Sequence, residues 1–206
     1  MRRFSSVLLV FALITNTSIA SKRNFVTAKQ DTLSQSNWVD SVMSKLTLRE
    51  RIGQLFMVAA YSNRDDKHIQ EIADLVRNQK IGGLIFFQGG PVRQANQTNY
   101  YQSLAKVPLI ISMDAEWGPG MRLDSTFSYP RQMMLGATSD SLLVYEMGCD
   151  IARQLKRLGV HINFAPVVDI NSNPQNPVIN TRSFGENKER VVKFGLAYMA
   201  GLQNNG

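Results

Sequence analysis

From residue 54 to the end of the chain, strand-length apolar runs alternate with helix-period stretches, and no hairpin-type turn separates any two runs. Strands joined in this way run parallel, because a parallel return needs a crossover of a dozen or more residues. The spacing predicts strands over 54–60, 81–87, 108–113 and 161–170, with helices over 65–80, 92–106, 139–158 and 188–204. Within 65–80, Ile69, Ile72, Ala73, Leu75 and Val76 share one helical face. The second run, through Leu84, Ile85, Phe86 and Phe87, lies between Gly82-Gly83 and Gly89-Gly90-Pro91, as a strand buried on both faces does. Thr47-Leu48-Arg49-Glu50 is a capping-box signature that starts a short helical turn ahead of the first strand. The fold class is therefore α/β, a parallel sheet with helices packed outside it. Two long loops, 114–136 and 171–185, follow the third and fourth strands, at the carboxyl ends where ligands bind in such folds.

Two architectures accommodate this pattern. A dinucleotide-binding open sheet carries Gly-x-Gly-x-x-Gly after its first strand, whereas Tyr61-Ser62-Asn63-Arg64-Asp65 has no glycine. A (β/α)8 barrel needs eight strands and about 250 residues, and these 206 residues supply four. The chain reads as a small four-stranded protein or as the front half of a barrel.

The first 20 residues have Arg2 and Arg3, a short apolar run from Val7 to Ile14, and a Ser18-Ile19-Ala20 exit. They read as a secretory signal rather than a membrane anchor, since a span needs about 20 apolar residues. The expected product is exported, to a bacterial periplasm or the cell exterior, with no stable membrane anchor. Residues 21–44 read as a polar linker or tether with a short helix over 38–43. Without Arg2 and Arg3, 21 of the 23 basic residues face 16 acidic ones, scattered singly, which argues against a nucleic-acid partner. One cysteine, Cys149, and two histidines exclude an internal disulfide and a Cys/His zinc site. His68 is expected on a helix far from the strand ends and His161 at the opposite end of the sheet, both structural. Cys149 is expected to be a buried, inert thiol.

The loop after the third strand reads Asp114-Ala115-Glu116-Trp117-Gly118-Pro119-Gly120-Met121-Arg122. Carboxylates accept hydrogen bonds from vicinal sugar hydroxyls and an indole covers the apolar face of a pyranose, so the cluster suits a carbohydrate subsite. The plain alternative has Asp114 capping the turn and Glu116 paired with Arg122. Asp169 follows the fourth strand beside Asn171, Asn173 and Pro174, a turn-building composition. Arg182, in Asn180-Thr181-Arg182-Ser183-Phe184-Gly185, either bonds a substrate or holds Asp169 and Asp114 in place.

In this order the motifs resemble glycoside hydrolase family 3, in its β-N-acetylhexosaminidase branch. The resemblance covers 45–206 and is strongest at Asn163-Phe164-Ala165-Pro166-Val167-Val168-Asp169-Ile170 and Arg182-Ser183-Phe184-Gly185. It implies the first half, about four β/α units, of a TIM-like (β/α)8 barrel over 45–206. It also implies that Asp114 and Arg122 bind hydroxyls of a terminal β-N-acetylglucosaminide and that Arg182 serves the same subsite. Glu116 belongs to the motif as a supporting residue, and Asp169 is expected to be structural. Relatives often have Gly-Gly-Arg after the glutamate, where this chain has Trp117-Gly118-Pro119.

In that branch the next strand carries Lys-His-Phe-Pro-Gly-His-Gly, a later loop an Asp-x-His acid/base dyad, and a further aspartate is the nucleophile. None of these occurs before Gly206. The expectation is a retaining N-acetylglucosaminidase without metal or organic cofactor, acting on peptidoglycan- or chitin-derived fragments. Its catalytic residues lie beyond Gly206, its missing partner is the rest of the barrel, and the 206 residues alone are inactive. A family 3 β-glucosidase is the runner-up, and a non-catalytic sugar-binding half barrel is the reading from another class.

Overall fold

The computed structural model describes residues 32–205. The chain divides into two compact units, Met1–Trp38 and Val39–Gly206. The first contributes to the described residues only the start of helix α1 (Thr32–Ser44). The expected secretory signal, 1–20, lies outside the described residues. In the stretch expected to be a linker, the described part is helical for 13 residues, well beyond 38–43.

Helix α2 (Leu48–Gly53) opens with the expected capping box: the Glu50 N–H donates to Thr47 Oγ1 and the Thr47 N–H to Glu50 Oε2. Its last turn takes the N–H groups of Gln54 and Leu55, so strand β1 is Met57–Ala60 and starts later than residue 54. Helix α3 (Asp66–Asp74) is capped by Asp65 and continues as a π-helical turn, Leu75–Gln79, ended by Lys80 in the left-handed region. Strand β2 (Gly83–Phe86), helix α4 (Pro91–Leu104) and strand β3 (Ile110–Met113) follow. The loop expected to be irregular over 114–136 holds a 3-10 turn, Pro119–Met121, and helix α5 (Gln132–Gly136). Helix α6 (Ser141–Arg157), strand β4 (Ile162–Asn163), a 3-10 turn Asn180–Arg182 and helix α7 (Lys188–Gln203) complete the chain.

The four strands are parallel in the order β1-β2-β3-β4. Strand β4 is far shorter than the expected 161–170. Phe164 still donates to the Met113 carbonyl, but Pro166 has no N–H to continue a ladder. The chain beyond it becomes a loop whose Asn171 N–H pairs with the Gly185 carbonyl.

Alternation along the strands separates two unlike faces. On one, Ala60, Leu84, Phe86, Ile111 and Met113 are fully buried against Ile72 of α3, Val76 of the π-helical turn, Tyr101 of α4, Ile151 of α6 and Tyr198 of α7. On the other, Met57, Ala59 and Ile85 are half-buried and Ile110 is 47% exposed. Apolar side chains are also open at both sheet edges. A groove of about 650 Å³ runs along β4 between α6 and α7, lined by Val160, Ile162, Ala165, Met199 and Leu202. Beside β1, Leu55 is 84% exposed. Among the described residues no helix is long and apolar enough to cross a membrane.

Candidate functional site

The candidate residues gather where β3 and β4 end. After Met113 the chain passes Asp114, Ala115 and Glu116, then reverses at Gly118, whose φ of +85° favours glycine and whose missing Cβ would lie 2.8 Å from the Tyr129 ring. Pro119 starts the 3-10 turn, and the Arg122 N–H closes it on the Pro119 carbonyl at 2.8 Å. This return lays Arg122 on Asp114: Nε donates to the Asp114 carbonyl at 3.0 Å and Nη2 to Oδ2 at 2.8 Å. Arg122 also sits over the Phe87 ring at the end of β2, 4.8 Å from its centroid. The pair is partly open, with side-chain exposures of 20% for Arg122 and 27% for Asp114. Among the described residues nothing else engages Asp114 Oδ1 or Arg122 Nη1.

Glu116 makes the second pair. Its side chain is 3% exposed and takes Arg182 Nε on both oxygens, at 3.0 and 3.1 Å, and Nη2 at 2.6 Å. The third guanidinium nitrogen, Nη1, reaches the Val178 carbonyl at 3.4 Å. Hydrogen bonding to Glu116 strengthens the hold of Arg182 on its proton, against the opposing effect of burial. The pairing thus differs from both plain alternatives: Glu116 pairs with Arg182 and not Arg122, while Arg182 bonds neither Asp114 nor Asp169.

Ala115, between the two carboxylates, is gripped on both backbone groups by the side chain of Asn163. Its N–H donates to Asn163 Oδ1 at 2.9 Å, and Asn163 Nδ2 donates to its carbonyl at 3.3 Å. Asn163 stands opposite Met113 in the β3–β4 register, so its amide extends the ladder beyond the strand end. The hydroxyl of fully buried Tyr198 is shared between the Ala115 and Glu116 carbonyls, both at 3.1 Å, and Gln132 Nε2 donates to the Glu116 carbonyl at 3.1 Å. Burial pushes the Tyr198 hydroxyl well above the usual tyrosine range, so it remains a donor. Sequence reasoning missed Phe87, Gln132, Asn163 and Tyr198 as site residues. Asn163 begins the Asn163–Ile170 motif, but nothing in spacing identifies a side chain that bonds backbone.

The remaining candidates lie around this centre. Asp169 is exposed, and its carbonyl, rather than its carboxylate, accepts the Ser183 hydroxyl bond. Its charge contributes to the field on Arg182. Arg131 lies over the Trp117 indole, 4.5 Å from the ring centroid. His68 is not far from the strand ends: its Nε2 accepts the N–H of Tyr61, the residue after β1, at 3.2 Å. Burial and then the Arg64 cation hold that imidazole below its usual pKa, which keeps the accepting nitrogen free of a proton. His161 Nδ1 accepts the Ile111 N–H at 3.0 Å at the other end of the sheet, and Cys149 is buried in α6.

Residues 47–206 match the glycosyl hydrolase family 3 N-terminal domain. Beta-hexosaminidase A of Pseudoalteromonas piscicida is 36% identical over 149 residues, covering 66% of this chain and 25% of that protein. The beta-N-acetylglucosaminidase/beta-glucosidase of Cellulomonas fimi is 31% identical over 169 residues, covering 82% of this chain and 29% of that protein. The solved glycoside hydrolase family 3 beta-N-acetylglucosaminidase of Paenibacillus sp. str. FPU-7 superposes with a TM-score of 0.68 at 35% identity, over 78% of this chain and 31% of that one. The chain therefore spans well under half the length of these relatives. The domain match runs through all four strands and both strand-end loops, so the chain belongs to glycosyl hydrolase family 3, as the first β/α units of its TIM-like barrel.

Proposed function

We propose that this chain is the sugar-recognition half of an exported, exo-acting, retaining glycoside hydrolase. It removes terminal β-N-acetylglucosamine from peptidoglycan- or chitin-derived oligosaccharides. The observation that carries the reading is the Asp114–Arg122 pair, which offers an unused carboxylate oxygen beside an unused guanidinium nitrogen at a strand end. An acceptor and a donor held together suit vicinal hydroxyls of a terminal sugar. Arg182 supports the same subsite by holding Glu116 in the loop behind Asp114, and Asp169 supports the loop. The names of the relatives support the N-acetylglucosaminide class.

The nucleophilic aspartate and the acid/base histidine lie outside these 206 residues. The aspartate attacks the anomeric carbon while the histidine protonates the leaving oxygen, and water then releases the sugar with retention. Assay of the complete gene product on aryl N-acetyl-β-glucosaminide tests the reading: turnover is expected, and Asp114→Ala lowers kcat/KM by about 100-fold or more. The 206-residue chain alone is expected to show none. A β-glucosidase is the second reading, favoured by the double name of the Cellulomonas fimi relative. Turnover of the glucoside but not the N-acetylglucosaminide would select it.

A further inference from the structure

The two hydrogen bonds from Arg122 to Asp114 leave from one edge of the guanidinium, Nε and Nη2, and end on a single residue. Bonds along one edge define an axis but leave the plane free to tilt about it. What opposes that tilt is the ring of Phe87, whose centroid lies 4.8 Å from Arg122 Cζ. Phe87 is itself fixed. Its N–H extends the β1–β2 ladder to the Ala60 carbonyl at 3.1 Å. Its ring stacks on Tyr61, with centroids 5.9 Å apart and planes 24° from parallel. Tyr61 is held in turn by the edge of His68 and by Arg64, whose Cζ lies 3.7 Å above the ring. The row Arg64, Tyr61, Phe87, Arg122 thus ties the ends of β1 and β2 to the open ion pair at the end of β3.

We infer that Phe87 is a positioning residue for sugar binding: its ring sets the plane of the Arg122 guanidinium and so the direction in which Nη1 is offered to a substrate hydroxyl. The inference rests on the proposed sugar-binding role of Arg122 and adds a residue from a different strand. It requires a ring face at position 87 and not merely an apolar side chain of similar size.

The test is a double-mutant cycle in the complete gene product, read as KM and kcat/KM on aryl N-acetyl-β-glucosaminide. Phe87→Leu is expected to lower kcat/KM by about three- to tenfold, the range of a partly exposed cation–π contact. Phe87→Tyr, which keeps the face, is expected to stay within about twofold of wild type. In an Arg122→Gln background Phe87→Leu should cost almost nothing further, because the group it positions is gone. Undiminished multiplication of the two losses, or an equal loss in Phe87→Tyr, would overturn the inference. Failure of the functional reading shows separately, as a wild type that turns over neither sugar. The positioning is then read on Arg122 itself, whose Nε–H proton resonance should be shifted upfield by the ring in wild type and Phe87→Tyr and released in Phe87→Leu. An unshifted wild-type resonance would sink it.

Discussion

Asp114 and Glu116 stand two residues apart on one loop, and each meets an arginine, yet the two pairs are different objects. Glu116 is 3% exposed and all three nitrogens of Arg182 are engaged, two by its carboxylate and one by the Val178 carbonyl. Asp114 is 27% exposed, and it and Arg122 each keep one polar atom unengaged among the described residues. The difference comes from the fold and not from the chemistry of the groups. Arg122 returns from eight residues away through a tight turn, while Arg182 arrives from a separate loop 66 residues away and closes over the carboxylate. An inward pair ties two loops together, and an outward pair is left to meet a ligand.

The largest expected effect comes from breaking the inward pair. Glu116→Ala leaves a half-buried guanidinium without its carboxylate and is expected to cost about 2–3 kcal/mol, less than a fully buried broken pair because Arg182 retains some solvent. A urea midpoint unchanged from wild type would show that Arg182 re-pairs, with exposed Asp169 as the available carboxylate. Next comes Tyr198→Phe, which deletes the donor serving the Ala115 and Glu116 carbonyls. One hydrogen bond removed at a fully buried site is expected to cost about 1–2 kcal/mol. Because the lost donor sits behind both carboxylates, sugar affinity should fall as well, and a variant altered in stability alone would confine Tyr198 to the core.

Asp114→Asn is the converse experiment. The amide oxygen still accepts from Arg122, and the pair is solvent-screened, so stability should change by less than about 1 kcal/mol. Sugar binding should be lost all the same. Equal destabilisation by Asp114→Asn and Glu116→Ala would erase the distinction between the pairs.

How much of this was legible beforehand follows the range of the interactions. The α/β class, the parallel order and the gathering of Asp114, Arg122, Glu116 and Arg182 at the strand ends follow from periodicity and chain order, which are local. The capping box at Thr47 and Glu50 is local too, and it stands as expected. The partner of each arginine was not legible, since spacing brings Arg122 equally near Asp114 and Glu116. Nor was the length of β4: the run 161–170 looks like one strand, yet Pro166 removes a donor and the ladder ends with the Phe164 N–H. His68 was misplaced because helical position says nothing about which strand end an imidazole reaches; its bond to Tyr61 is tertiary. Phe87 and Tyr61 read as the end of one apolar run and the start of a polar loop, and only the β1–β2 register stacks them.

The smallest expected effect calibrates the others on a pair remote from the site. Glu50 bonds Lys106 Nζ at 2.9 Å and the Thr47 N–H at 2.8 Å. Lys106 first, then the Thr47 N–H, hold its carboxyl down to about 2 from an ordinary 4.5. A carboxyl with a depressed pKa stabilises the fold fully above its unfolded value and loses that contribution as pH falls through its folded one. The contribution should therefore fade between pH 4.5 and about 2. His68 acts in a different window: its folded pKa lies below the ordinary 6.5, so the unfolded chain takes up the proton first and stability declines as pH drops below 6.5. Lys106→Gln should remove most of the Glu50 limb while leaving the His68 limb intact, a difference read from urea midpoints at a series of pH values. An unchanged acid limb in that variant would assign the depression of Glu50 to the capping box, and would show that an exposed lysine partner contributes little here, in contrast to the arginine closed over Glu116.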